Sequence, residues 1–179
     1  MSFHKIIFTG PVGAGKSTAI KAISDTAVIH TEQQTTDETK EIKSQTTVAM
    51  DYGSIIIANN EKIHLYGTPG QKRFSFMWDI LSKGGTGLIL IIDASEESAI
   101  DDMNYYLENF KSLINETAVV VGITKTDLDQ KFSLDDFNQE MANQARVFPI
   151  FEVDARSPTD IKALVEALLL LLAPALAVA

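Results

Sequence analysis

Residues 10–18 read G-P-V-G-A-G-K-S-T. They match G-x-x-x-x-G-K-[ST], a pattern whose chemistry is phosphate binding. Gly10, Gly13 and Gly15 let the chain curl so that successive backbone N–H groups, that of Ala14 among them, converge on phosphate oxygens. A helix that follows adds the positive end of its dipole. Lys16 is placed to reach β- and γ-phosphates, Ser17 to set its hydroxyl on magnesium, and Thr18 to meet the α-phosphate. The context agrees: an apolar run (Ile6, Ile7, Phe8) precedes the loop, and Ala19, Ile20, Ala22 and Ile23 follow at helical spacing.

Two further segments bear on the base. Residues 119–127 read V-V-V-G-I-T-K-T-D, an apolar strand ending in T-K-x-D. The Asp127 carboxylate would accept two hydrogen bonds from guanine N1 and N2, a donor pair adenine lacks. Lys125 would lay its methylene stem along ribose and base. Taken alone, the stretch is equally a solvated charged turn. The third segment, E-V-D-A-R-S-P at 152–158, follows the last apolar run. There the Ala155 N–H is placed to meet guanine O6, and Arg156 to stack on the base. Order and spacing of the three segments fit one site.

With those residues in view, the chain resembles a Ras-like small GTPase over essentially its whole length. More narrowly it is similar to the prokaryotic MglA-like group, often found alongside roadblock-fold proteins. The narrower match is carried by T-T-V-A-M-D-Y-G (46–53) and G-T-P-G-Q-K-R-F (67–74), followed by M-W-D-I-L. The resemblance implies GTP and GDP as ligands, Mg2+ as cofactor, and a roadblock-type partner that repositions the switches. It implies that Thr47, or its neighbour Thr46, closes on magnesium and the γ-phosphate. Gly70 would give its N–H to the γ-phosphate, and Gln71 would orient the attacking water. Gln71, Lys16 and Thr47 are thus the expected catalytic residues, and Ser17 and Thr47 the expected metal ligands.

The departures are specific. Thr124 stands where an asparagine amide usually braces the phosphate loop, and Asp154 and Arg156 flank Ala155 where serine and lysine are usual. Gly67 stands where an aspartate usually holds a magnesium-bound water; Thr68 or Asp93 is the expected substitute, with loop capping the other role for Asp93. Val12 replaces a glycine and is expected to crowd Gln71, so slow intrinsic hydrolysis is predicted, speeded by a partner. Competing readings are a module that holds GTP without useful hydrolysis, and a P-loop kinase; few arginines and no lid-like insertion weigh against the kinase.

The elements that must position these residues alternate. Strand-like runs cover 3–9, 48–57, 62–67, 88–93, 118–123 and 148–153. Helical patterns cover 16–24, 71–83, 97–114, 134–143 and 159–172. Near-continuous runs such as L-I-L-I-I suit strands buried on both faces. The expectation is an α/β P-loop G domain: a mostly parallel six-stranded sheet, one antiparallel edge strand, and helices on both faces. That strand comes from a hairpin over 48–67 turning at Ala58-Asn59-Asn60-Glu61, with Gly53 marking a bulge. Residues 31–47 are polar apart from Ile42 and read as a long loop, the first switch; the second is 67–80. Phe74, Phe76, Met77 and Trp78 are either core packing or a recognition face. His4, His30 and His64 lack metal spacing and read as structural.

A chain of 179 residues fits one domain over 1–179, burying about 70% of its unfolded surface. There is no cysteine, which excludes disulfides, thiolate metal sites and a cysteine nucleophile and suits a reducing compartment. The net charge of −9 argues against generic nucleic-acid binding and against adhesion to anionic membranes. The first residues carry no long apolar run, Ser2 stands where myristoylation needs glycine, and no prenylation cysteine closes the chain, so a cytoplasmic protein, recruited to membranes only by partners, is expected. The uncharged stretch 167–179 is shorter than the about 18 residues a membrane span needs. It reads as a packed final helix with a frayed apolar tail from about 173, or as a docking tail.

Overall fold

The computed structural model describes residues 4–34, 47–57 and 60–176, and for 31–34, 47–49 and 173–176 the backbone alone. The described residues form a seven-stranded sheet. In chain order the strands are β1 (His4–Thr9), β2 (Ile29–Gln34), β3 (Thr47–Ile56), β4 (Lys62–Gly67), β5 (Gly87–Asp93), β6 (Ala118–Thr124) and β7 (Ile150–Glu152). The helices are α1 (Lys16–Ile23), α2 (Ser75–Ser82), α3 (Ala99–Asn109), α4 (Lys111–Glu116), α5 (Leu134–Ala142) and α6 (Pro158–Leu176). Spatial order is β2-β3-β4-β1-β5-β6-β7. β3 is antiparallel to both its neighbours, and the other neighbouring pairs are parallel.

Alternation along the strands explains the two layers. Ile6, Phe8, Ile89 and Ile91 point to one face, where they pack with Ile20, Ile23, Leu164 and Leu168 of α1 and α6. Ile7, Leu88, Leu90 and Ile92 point to the other, against Trp78, Met103, Tyr106 and Phe137 of α2, α3 and α5. Both faces are therefore apolar, which is why β5 is buried from end to end and reads as a continuous apolar run. The crossovers after β1 and β4 lie on opposite faces, and in such sheets the crevice at the strands' carboxyl ends takes the ligand.

Three details correct the sequence-based expectation. The sheet has seven strands rather than six, because residues 29–34, of which 31–34 were expected in the loop, pair with β3 in unbroken register from Ile29↔Tyr52 to Gln34↔Thr47. The antiparallel strand β3 is therefore not the edge. Gly53 is no bulge: β3 and β4 pair without interruption from Asp51↔Gly67 to Ile56↔Lys62. A Cβ at Gly53 would lie 2.7 Å from Ser24 Oγ and 2.9 Å from Ile20 Cγ2, so the residue is small because α1 lies against it.

Helix boundaries differ where backbone and packing compete. Residues 72–74 make a 3₁₀ turn before α2. The expected helix over 97–114 breaks at Phe110 into α3 and α4, which lets that ring reach the core at 2% exposure. α6 continues to Leu176, past the expected end, with Leu170 and Leu171 exposed. The hairpin's Ala58 and Asn59, most of the first switch (35–46, with Thr46) and the last residues, 177–179, lie outside the described residues. Among the described residues no helix is long and apolar enough to cross a membrane.

Candidate nucleotide site

The glycine loop links β1 to α1, at the carboxyl edge of the sheet's middle. Its glycines take backbone angles that side chains rarely adopt, φ 139° at Gly10, 80° at Gly13 and 107° at Gly15. Lys16 is buried; its Nζ donates to the carbonyls of Gly10 (2.8 Å) and Pro11 (2.6 Å). Burial pushes its pKa down to about 8, and the Asp51 charge partly opposes that shift. The loop thus holds a desolvated cation whose charge a phosphate would stabilise.

One cavity of about 250 Å³ lies on the β6 side of this loop. Gly13, Ala14, Gly15, Thr18, Thr124, Lys125, Asp127, Leu128, Asp154, Ala155 and Arg156 line it. Every base-site residue expected from sequence is therefore brought together. Thr124 buries its hydroxyl, which donates to the Ala14 carbonyl at 2.7 Å. The brace that an asparagine amide would provide is kept, by a shorter side chain. The 154–157 turn is tied to α6: Asp160 accepts the Asp154 N–H at 2.9 Å and the Ser157 hydroxyl at 3.0 Å. Arg156 donates to both Asp154 oxygens and, at 3.2 Å, to Asp127. The hydrogen bonds from Arg156 hold the Asp154 carboxyl at a pKa of about 2.

Lys125, with φ 59°, reaches back to Asp93 at 2.5 Å. Asp93 also accepts the Ser95 N–H (2.9 Å) and hydroxyl (2.6 Å). Burial alone would raise its pKa, but the bonds from Lys125 and Ser95 outweigh it and hold the carboxyl below the usual range. Asp93 therefore caps its loop and anchors Lys125. Thr68, the other candidate, shares a 2.8 Å hydrogen bond with Thr9.

The carboxylate at that place comes from the neighbouring strand. Asp51 of β3 is paired with Gly67 of β4, is buried, and accepts a hydrogen bond from the Ser17 hydroxyl. A Cβ at Gly67 would stand 3.0 Å from Asp51 Cβ and 3.1 Å from its Oδ2. The glycine makes the room that Asp51 occupies. His30 of β2, set aside from sequence, contacts Asp51 Oδ1 through Nδ1 at 2.5 Å. Sequence reading missed Asp51; its only signal was a lone acid in the apolar-flanked run T-V-A-M-D-Y-G.

A second cavity, about 190 Å³, is lined by Val12, Gly13, Lys16, Ser17, Asp51, Thr68, Pro69, Gly70, Gln71 and Phe74. It lies at the other end of the glycine loop, where a terminal phosphate and its metal would sit. Ser17 and Asp51 supply oxygen donors, the ligand type magnesium takes; among the described residues no group of three or more His, Cys, Asp or Glu could hold a metal by itself. Gln71 is exposed, with its amide oxygen turned to Arg73 Nε at 2.6 Å. Val12 stands 65% exposed at the rim. Thr47 begins β3, its backbone paired with Gln34, four residues along the strand from Asp51.

The Ras family model matches residues 5–173. The chain belongs to the Ras family. Among relatives of this small GTPase, Ras-related protein Rab-1D of Dictyostelium discoideum is 24% identical over 162 residues, 89% of this chain and 74% of that one. The GTP-binding nuclear protein GSP1 of Encephalitozoon cuniculi is 21% identical over 155 residues, 86% of this chain and 69% of that one. An uncharacterized protein of Methanocaldococcus jannaschii, MJ1339, is 39% identical over 84 residues, 46% of this chain; the match spans about half (51%) of that protein. A small GTPase has to grip phosphate and guanine at once, and the two cavities of this Ras-family chain meet at Gly13.

Proposed function

We propose that this Ras-family chain is a magnesium-dependent, guanine-selective switch that hydrolyses GTP to GDP and phosphate slowly by itself and faster with a partner protein. The observation that carries the reading is the joint geometry of Ser17, Asp51 and Gly67, which rebuilds from β3 the carboxylate that β4 lacks.

In this reading Lys16 and the loop N–H groups bind the β- and γ-phosphates, and Thr18 the α-phosphate. Ser17 would hold the metal directly, with Asp51 holding a metal-bound water, and Thr47 is the further metal ligand that the family resemblance implies. Magnesium, when bound, would neutralise charge on the β- and γ-phosphate oxygens. Asp127 selects guanine, Ala155 N–H meets its O6, Lys125 is steadied by Asp93, and Arg156 stacks over the base. Gln71 leaves Arg73 and orients water for attack on the γ-phosphorus; the bond to the β–γ bridging oxygen breaks, and GDP keeps the electron pair.

Slow turnover is expected because the Gln71 amide oxygen is engaged by Arg73 and Val12 stands exposed beside it. Phe76 and Ile80 stand exposed one turn apart on α2, while Phe74 and Trp78 are buried. That apolar pair suits a partner reading the second switch, of which a roadblock-type protein is the family expectation. The acidic chain suits the cytoplasm. The same position of Gln71 favours a second reading, a GTP holder without useful hydrolysis.

Single-turnover reactions with excess protein and Mg2+, run on GTP and ATP in parallel, test the proposal. The expected result is GTP bound and cleaved with ATP ignored. GTP retained intact even with partners present would establish the holder, and preference for ATP would overturn the base assignment.

A further inference from the structure

The peptides on either side of Gly70 are anchored by two buried aromatic residues from different helices. Trp78 of α2 donates its indole N–H to the Pro69 carbonyl at 2.8 Å. Tyr106 of α3 donates its hydroxyl to the Gly70 carbonyl, also at 2.8 Å. The residues are 2% and 1% exposed, and their rings lie 4.9 Å apart. Burial, with the nearby Asp102 charge, raises the Tyr106 pKa, so the hydroxyl keeps its proton and remains a donor.

A planar trans peptide sends its C=O and N–H to opposite sides. With the Pro69 carbonyl held by Trp78, the Gly70 N–H must face away from the indole. No hydrogen bond among the described residues uses that N–H. On the other flank lies the phosphate loop: a Cβ at Gly70 would come within 2.6 Å of the Val12 nitrogen and 2.9 Å of Lys16 Nζ. A free donor beside a buried ammonium calls for an anion.

We propose that Trp78 and Tyr106 are positioning residues that aim the Gly70 N–H at the terminal phosphate and so set the preference of the site for GTP over GDP. The inference rests on the nucleotide reading above. Neither aromatic residue touches the nucleotide. Holding the peptides on both sides of Gly70, they act through one N–H that only a third phosphate reaches, so the effect falls on GTP and leaves GDP alone. A purely structural role would weaken both nucleotides together.

The test is the dissociation rate of a non-hydrolysable GTP analogue against that of GDP, with Mg2+, in wild type, Trp78→Phe and Tyr106→Phe. Each variant keeps a ring and loses a donor. The expected result is analogue release about tenfold faster, the worth of a hydrogen bond to a charged group, with GDP release within about twofold of wild type. Equal acceleration of both nucleotides, or of neither, overturns the proposal while leaving nucleotide binding intact. If Trp78→Phe does not fold, the ratio in Tyr106→Phe decides alone, since that hydroxyl holds the adjoining peptide. A wild-type protein that retains neither nucleotide overturns the site reading and the proposal with it.

Discussion

Single residues decide the metal and phosphate chemistry. Asp51 touches Ser17, whereas Asp93 is committed to Lys125 and Ser95. Asp51→Asn is therefore expected to raise the Mg2+ concentration needed for tight GTP binding by about tenfold, the lower end for an outer-shell partner. Asp93→Asn is expected to leave that midpoint within about twofold while loosening the base through Lys125. A magnesium titration of nucleotide release separates the two, and equal effects would remove Asp51 from its assigned role. Lys16 gives a pH prediction. Its folded pKa of about 8 lies below the ordinary 10.5, so between those values the unfolded chain holds more protons than the folded one. Stability of the nucleotide-free protein should then rise with pH across that window. Phosphates would restore the charge, so GTP binding near pH 8 should take up protons. Calorimetry in buffers of differing ionisation heat reads that uptake, and a zero proton count would contradict it.

At the scale of elements, the site depends on how closely strands and helices approach. α1 carries Lys16, Ser17 and Thr18 and lies on β3 at Gly53, where a Cβ would be 2.7 Å from Ser24 Oγ. Gly53→Val should push α1 away, lowering stability by about 1–3 kcal/mol as overpacking does and weakening phosphate binding as well. Thermal unfolding and nucleotide affinity of that variant test the link; a loss of stability with full affinity would show that α1 and β3 are not coupled. The other coupling runs from β5 to the base, since Asp93 closes β5 and holds Lys125 after β6. β6 also braces the phosphate loop through Thr124. Two cavities formed by separate loops thus share one backbone.

For the whole molecule, nucleotide should act as part of the core. α1, β6 and the 154–157 turn all converge on the base cavity, so ligand binding there stabilises the folded state by mass action. At one hundred times Kd the gain is about 2.7 kcal/mol, or about 5–10 °C in Tm for a chain of this size. GDP with Mg2+ should produce that rise, and ATP at equal concentration should not. A thermal shift with ATP as large as that with GDP would contradict the guanine assignment of Asp127.

Local chemistry carried most of the reading from sequence. The glycine loop, T-K-T-D and D-A-R each specify their own backbone or hydrogen-bonding needs over a few residues, and the continuous apolar runs specify a sheet covered on both faces. Hence the fold class was legible, and so were most residues lining the two cavities; Leu128, Pro69 and Asp51 were not. What tertiary structure alone decided is which strands touch, and in what register. A turn taking residues 58–61 would set Ile57 against Lys62 and therefore Tyr52 against Gly67. The observed pairing is one residue different, Ile56↔Lys62 and Asp51↔Gly67, and one residue exchanges the faces of a strand. That slip is what brings Asp51 beneath Ser17. The strand β2 escaped notice for a related reason: I-H-T-E-Q-Q has no apolar face to advertise it, because an edge strand held by backbone hydrogen bonds needs none. Asp51 meets Ser17 because side chains from different elements meet in space, and no spacing along the chain records that meeting.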